Sequence, residues 1–111
     1  MLLRVVDSVD GKTGRHIFRD IFIQQGEAFL LPALVPHNPI RYADTIGLVI
    51  ERVRGQDQID RLRWYCERCT MIVHEEAFHC SNINTDLSDL IQKYAQCENL
   101  RTCKSCALVN T

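Results

Sequence analysis

Two pairs of cysteines carry the clearest chemical signal in this 111-residue sequence. CERC (66–69) and CKSC (103–106) share the C-x-x-C spacing, which places two thiolates on one side of a tight turn. Two such pairs supply four sulfur ligands, a tetrahedral set that suits zinc or a single iron ion. The alternative is four ordinary buried cysteines. We predict a structural metal site, because four ligands leave no open position for catalysis. Its ligands are Cys66, Cys69, Cys103 and Cys106.

The remaining cysteines and two nearby histidines are weaker candidates. Cys80 and Cys97 belong to neither pair, and we interpret them as small buried hydrophobic residues. His74 and His79 lie between the pairs and could each replace a cysteine as a ligand. Four thiolates already complete a tetrahedron, so we interpret both histidines as structural.

A second candidate site lies in VPHNPIR (35–41). If this stretch is extended, His37, Pro39 and Arg41 alternate onto one face. An imidazole can bind a metal, and a guanidinium can hold a carboxylate with two hydrogen bonds. The plainer alternative is that His37 is a hydrogen-bonded residue at the end of a strand.

Glu51 is the acidic candidate for the same site. In GLVIERVR (47–54), alternation places Glu51 with Val49 and Val53, opposite a face that ends in two arginines. A carboxylate among valines is costly unless it is paired or functional, and Arg41 is a possible partner. One histidine makes a poor iron site, since non-haem iron oxygenases use two histidines and a carboxylate. His16, in a polar loop, is a weak candidate for a second ligand.

These residues require a framework of strands followed by one helix. Closely spaced apolar segments joined by Gly and Pro turns predict a mainly β fold, a sandwich or small barrel. The predicted strands are 2–6, 17–23, 27–31, 45–54 and 70–79. A period of 3.6 predicts a helix over 86–97, capped by Thr85 or Asp86. Its apolar face carries Leu87, Leu90, Ile91, Tyr94 and Ala95. The predicted domains are 1–55, part of a barrel, and 56–111, an extension that carries the metal site and the helix.

Composition narrows the functional classes. The chain is 46% hydrophobic and 24% charged, with a net charge of -1, which is typical of a globular domain. The sequence has no basic face of the kind that indicates nucleic-acid binding, and no apolar run is long enough to span a membrane. The amino terminus does not have the pattern of a signal peptide. We therefore expect a cytoplasmic protein with reduced cysteines.

The central sequence resembles a known family. GEAFLLPALVPHNPIRYADTIGLVIERVR (26–54), followed by IDRLRWYCERC (59–69), is similar to 3-hydroxyanthranilate 3,4-dioxygenases. The resemblance runs from about residue 1 to 106 and includes, in the family's order, the TDL that begins the helix and both cysteine pairs. The presence of both pairs resembles the bacterial and fungal branch.

The resemblance implies a fold and an activity. The family has a cupin fold, a double-stranded β-barrel, and forms homodimers. It uses Fe(II) and O2 to open the ring of 3-hydroxyanthranilate. The product, 2-amino-3-carboxymuconate semialdehyde, leads to quinolinate and NAD on the kynurenine pathway from tryptophan. A rubredoxin-like metal clip, holding iron or zinc, is implied for the four cysteines.

The resemblance also implies a role for each residue of the second site. His37 would be the last of three ligands to the catalytic iron. Arg41 would hold the substrate carboxylate, with Pro39 beside it. Glu51 would contact the amino and hydroxyl groups of the substrate and assist proton transfer.

One departure from the family pattern bears on activity. The other two iron ligands belong to a first cupin motif, which precedes the strand that MLLRVV resembles. We therefore expect a family member that lacks its N-terminal third and an incomplete barrel that is inactive alone. The alternative is a non-catalytic metal-binding or interaction module.

Overall fold

The computed structural model describes residues 1–111, which form two compact units, Met1–Glu51 and Arg52–Thr111. The prediction of a mainly β chain with a C-terminal helix is confirmed. Neither helix combines the length and the apolar character that crossing a bilayer would require.

The first unit is built on three antiparallel strands, β1 (Leu2–Val9), β2 (His16–Phe22) and β3 (His37–Ile40). They form one sheet in the order β2-β1-β3. Leu3 and Val5 on the central strand are the buried residues of this sheet, and burial of each contributes about 1.5–3 kcal/mol. The sheet therefore positions β3 directly beside the apolar centre of the unit.

Two of the predicted strands are not present. Residues 27–31 and 45–54 form no strand, and in the second segment Leu48 and Ile50 are largely exposed. Their apolar alternation is typical of a strand, but a strand exists only when a neighbour accepts its backbone hydrogen bonds. These two segments find no such neighbour within the chain, so the prediction of strands there is wrong.

The second unit begins with a two-stranded hairpin, β4 (Asp60–Tyr65) and β5 (Ile72–Phe78). Helix α1 (Ile83–Gln96) follows, and then the short helix α2 (Glu98–Arg101). The core consists of three of the paired cysteines together with Val73 and Tyr94. The four-cysteine region is thus the centre of this unit.

Helix α1 begins earlier than predicted. It starts at residue 83 rather than 86 and ends at 96 rather than 97. Asn82 is the N-cap, and its side chain accepts a hydrogen bond from the Asn84 backbone N–H at 3.0 Å. Asp86 instead lies inside the first turn and accepts the backbone N–H of Asn82 at 3.0 Å. The assignment of Thr85 or Asp86 as the cap is therefore wrong, because an asparagine upstream satisfies the free N–H groups first.

Candidate functional site

The two cysteine pairs fold into matching turns. In the first, the Cys66 N–H donates to Met71 O at 2.8 Å, and in the second the Cys103 N–H donates to Leu108 O at 2.8 Å. The first turn joins β4 to β5, and the second is closed by an isolated bridge between Thr102 and Val109. Each pair is therefore presented at the end of a hairpin-like ladder.

A left-handed residue follows the second cysteine of each pair. Thr70 has φ 60° and Ala107 has φ 62°, and their N–H groups donate to the carbonyls of Cys66 and Cys103. This conformation normally favours glycine and costs other residues about 1–2 kcal/mol. No glycine signals it in the sequence, so the repeated turn could not be predicted beyond its C-x-x-C spacing.

The four sulfur atoms form one cluster. Their Sγ atoms all lie within 4.8 Å of one another. Across the two turns, Cys66 Sγ is 3.5 Å from Cys106 Sγ, and Cys69 Sγ is 3.6 Å from Cys103 Sγ. A tetrahedral ion with metal–sulfur bonds of about 2.3 Å has sulfur–sulfur edges of about 3.8 Å. The donor set and its spacing fit a tetrahedral thiophilic ion, so the prediction of a cysteine cluster able to bind metal is confirmed.

Backbone N–H donors lower the pKa of the first cysteine of each pair. Burial opposes ionisation of Cys66, but the N–H groups of Cys69 and Arg68, with the Cys106 thiol, lower its pKa to about 6. The Cys106 and Ser105 N–H groups likewise lower the pKa of Cys103, against the effect of burial.

The pKa of Cys69 shifts the other way. The Met71 N–H favours its thiolate, but burial and the neighbouring thiols prevail and raise its pKa to about 11. The protein therefore stabilises part of the negative charge itself. A cation bound among the sulfur atoms would favour ionisation of Cys69 as well.

An aromatic stack packs against this cluster. The rings of Trp64 and Tyr94 are stacked with centroids 4.3 Å apart, and His74 lies 6.2 Å from Tyr94. His74 Nε2 is 3.0 Å from Glu76 Oε1, and His79 Nδ1 is 2.9 Å from Gln58 O. Neither histidine belongs to the metal-binding group.

The two unpaired cysteines are less buried than the sequence interpretation expects. Cys80 and Cys97 are half-buried free thiols outside the cluster. Cys80 follows β5 after one residue, and Cys97 lies between the two helices.

The second candidate site lies on β3. The register pairs Val5 with His37 and Leu3 with Pro39, and directly opposed residues share one face of a sheet. His37 and Pro39 therefore lie on the face that carries the two buried residues of β1. His37 remains exposed, and its Nδ1 is 2.9 Å from Val35 O. A carbonyl oxygen only accepts, so Nδ1 is the donor in this contact.

Arg41 and Glu51 follow this strand. Arg41 Nη1 donates to Gly47 O at 3.1 Å, which folds the guanidinium over the loop after β3. Glu51 is exposed and is the last residue of the first unit. The four cysteines are the one group of three or more potential metal ligands in the chain. His37 therefore has no companion ligands here, and the residues present do not fit a three-ligand catalytic iron site.

Fold and site together define a class: a mainly β protein with a four-cysteine cluster, able to bind a metal, between two hairpin-like turns. Comparison with known sequences is more specific. The sequence profile described as 3-hydroxyanthranilic acid dioxygenase matches residues 1–95, and the chain belongs to this family.

Three fungal relatives illustrate the match, each with the name 3-hydroxyanthranilate 3,4-dioxygenase. The Podospora anserina protein is 48% identical over 98% of this chain, the Neurospora crassa protein 50% over 98%, and the Scheffersomyces stipitis protein 49% over 99%. These alignments cover 57%, 57% and 61% of the respective relatives. The chain thus spans a little over half the length of the relatives it matches.

Proposed function

We propose that this chain is part of an Fe(II)- and O2-dependent dioxygenase that opens the ring of 3-hydroxyanthranilate. The observation that carries the proposal is the 48–50% identity, over at least 98% of the chain, to proteins named for this activity. Such a reaction yields 2-amino-3-carboxymuconate semialdehyde, a precursor of quinolinate and NAD. All six cysteines are free thiols, which favours a reducing compartment such as the cytoplasm.

The proposed substrate site consists of four residues on and after β3. His37 offers Nε2 as one iron ligand, with the ring oriented by the Val35 carbonyl. Arg41 binds the substrate carboxylate through its planar fork of donors, and Pro39 supports the ring of the substrate. Glu51 accepts a proton from the amino or hydroxyl group of the substrate.

The chain alone is inactive in this proposal. A single histidine does not hold a catalytic iron, and no second histidine or carboxylate completes a ligand set with His37. The missing ligands belong to the part of the relatives that this chain does not match. The complete enzyme would form a homodimer, as the family resemblance implies.

Oxygen uptake with 3-hydroxyanthranilate tests this proposal. The purified 111-residue chain is compared with the same chain fused to the unmatched portion of the Neurospora crassa relative. We expect iron-dependent uptake from the fusion and background uptake from the chain alone. An inactive fusion that contains stoichiometric iron would contradict the proposed activity, and a fully active chain would contradict the proposed inactivity.

Within that fusion, Arg41→Ala tests the role of the guanidinium. We expect KM for 3-hydroxyanthranilate to rise at least about tenfold, since a charged hydrogen bond contributes about 1.5–3 kcal/mol. Iron content should not change. Arg52→Ala is the matched control, because Arg52 is also exposed and lies outside the proposed site. Equal effects of the two substitutions would contradict the assignment of Arg41.

We propose a structural metal, zinc or iron, for the four cysteines. Metal analysis of the purified chain, with optical spectroscopy to detect iron–thiolate absorption, distinguishes the two ions. Cys66→Ser should abolish stoichiometric binding and lower the melting temperature, because structural metal binding contributes directly to folding. Cys80→Ser is the control, since Cys80 is outside the cluster. Unchanged metal content in Cys66→Ser would refute the site.

A second function is a non-catalytic metal-binding or interaction module. It is favoured by the observation that the four cysteines are the one complete ligand set in the chain. The two functions predict different numbers of metal ions per fused chain. A single ion per fused chain, with no oxygen uptake, would favour the module.

A further inference from the structure

Asn110 is the one polar residue that is fully buried in the chain, with 5% of its surface exposed. A buried amide is costly unless its donors and acceptor are paired. The Asn110 Oδ1 atom accepts from the Glu67 N–H at 3.1 Å. Its Nδ2 atom donates to Tyr65 O at 2.8 Å and to Tyr94 Oη at 3.1 Å. Both N–H donors and the oxygen of the side-chain amide are thus paired, although Asn110 is not among the clustered cysteines.

Two of these contacts are made by the sequence neighbours of Cys66, one of the four clustered cysteines. Tyr65 and Glu67 are the residues immediately before and after Cys66. Asn110 therefore hydrogen-bonds to the two peptide groups that flank the Cys66 side chain. That side chain points to the other pair, with its Sγ 3.5 Å from Cys106 Sγ.

The main chain of Asn110 binds the other half of the site. Its N–H donates to Arg101 O at 2.9 Å, and Arg101 Nη1 donates to Asn110 O at 2.6 Å. Arg101 lies two residues before Cys103. One residue therefore joins the two cysteine pairs, with its side chain on the first turn and its main chain beside the second.

We propose that Asn110 is a positioning residue of the four-cysteine metal site. This inference rests on the proposal that the four cysteines hold a metal. Asn110 holds the Cys66 turn against the Cys103 turn, so its hydrogen bonds lower the cost of ordering the two pairs when the ion binds. Loss of its side chain removes this preorganisation and lowers metal affinity.

Co2+ binding to the full 111-residue chain tests the inference. Co2+ is bound in the absence of other metals, and visible absorption with chelator competition gives the dissociation constant. We expect Asn110→Ala to weaken binding by about 10–100-fold, the usual effect of losing a group that orients metal ligands. Its ligand-field spectrum should also change, because the Cys66 sulfur is no longer fixed. Asn84→Ala is the matched control, since Asn84 is an exposed asparagine on α1.

Two further variants separate positioning from packing. Asn110→Gln keeps an amide but displaces it by one methylene, so this variant should also weaken Co2+ binding. It replaces Asn110→Ala as the test if the alanine variant does not fold. Tyr94→Phe removes one of the three side-chain contacts of Asn110 and leaves both contacts beside Cys66, so affinity should stay within about threefold of the parent.

Different results would contradict the positioning role of Asn110 and the proposed metal site itself. Parent-like affinity in Asn110→Gln, or an equal loss in Tyr94→Phe, would overturn the positioning role of Asn110. Failure of the parent chain to bind Co2+ would instead overturn the metal site.

Discussion

Arg41 and Gly47 depend on one another at the level of single residues. The guanidinium folds over Gly47, and a Cβ at that position would lie 3.0 Å from Arg41 Nη1. Gly47→Ala should therefore displace the guanidinium and break its bond to the Gly47 carbonyl. The contact is with the flexible end of a side chain, so stability should change by less than about 0.5 kcal/mol. The arginine Nε–Hε resonance of Arg41 should shift in NMR spectra. Gly11→Ala, where a Cβ meets nothing within 4 Å, is the control and should leave that resonance unchanged.

Some functional residues can be predicted from the sequence, and others cannot. The four cysteines are predictable because ligand chemistry fixes their spacing. Asn110 is not, because its role depends on contacts with residues 16 to 45 positions away in the chain. The functions of His37 and Arg41 stay predictions, since they rest on resemblance and on a site that the chain does not complete.

Some of the secondary-structure elements could likewise be predicted from the sequence, and others could not. Strands β1, β2 and β5 were predictable because their apolar patterns coincide with available partners. The segments 27–31 and 45–54 have suitable patterns, but no strand pairs with them, and pattern alone does not reveal that. Helix α1 was predictable from its period, whereas its start depended on which polar residue capped it. Local sequence thus specifies the tendency of each segment, and tertiary pairing decides the outcome.

Helix α1 is linked to β5 by a charged pair with a defined pH dependence. Lys93 Nζ donates to Glu76 Oε1 at 2.7 Å, and this bond, with a second from His74, lowers the pKa of Glu76. A carboxylate whose pKa is lower in the folded state adds stability above its unfolded pKa of about 4.3. That stability is lost as the pH falls through the folded pKa.

Glu76→Gln should remove this dependence. We expect its melting temperature to lie below that of the parent at pH 7 and to approach it as the pH falls toward 3. The difference at pH 7 should correspond to less than about 1 kcal/mol, because Lys93 is largely exposed. Glu98→Gln, a surface substitution on α2, is the control for replacing a glutamate elsewhere in the same unit. A constant difference between Glu76→Gln and the parent from pH 7 to 3 would contradict the link.

The whole molecule combines two units that are stabilised in different ways. Met1–Glu51 relies on a hydrogen-bonded sheet with surface ion pairs such as Arg4 to Asp20, at 2.7 Å. Arg52–Thr111 has a core made largely of cysteines that are also the proposed metal ligands. A hydrophobic core of this size contributes little alone, so the second unit should depend on the ion.

Metal removal should therefore act on one unit. After treatment of the metal-loaded chain with a chelator, amide hydrogen exchange should accelerate by at least about tenfold in β4, β5 and α1, because metal binding contributes directly to the folding of such a unit. Exchange in β1 and β2 should change by less than about twofold, since their hydrogen bonds do not involve the ligands. The metal-free Cys66→Ser variant is the control, and the chelator should not alter its exchange. Equal acceleration in β1 and α1 would show that the two units unfold together and would contradict this division of stability.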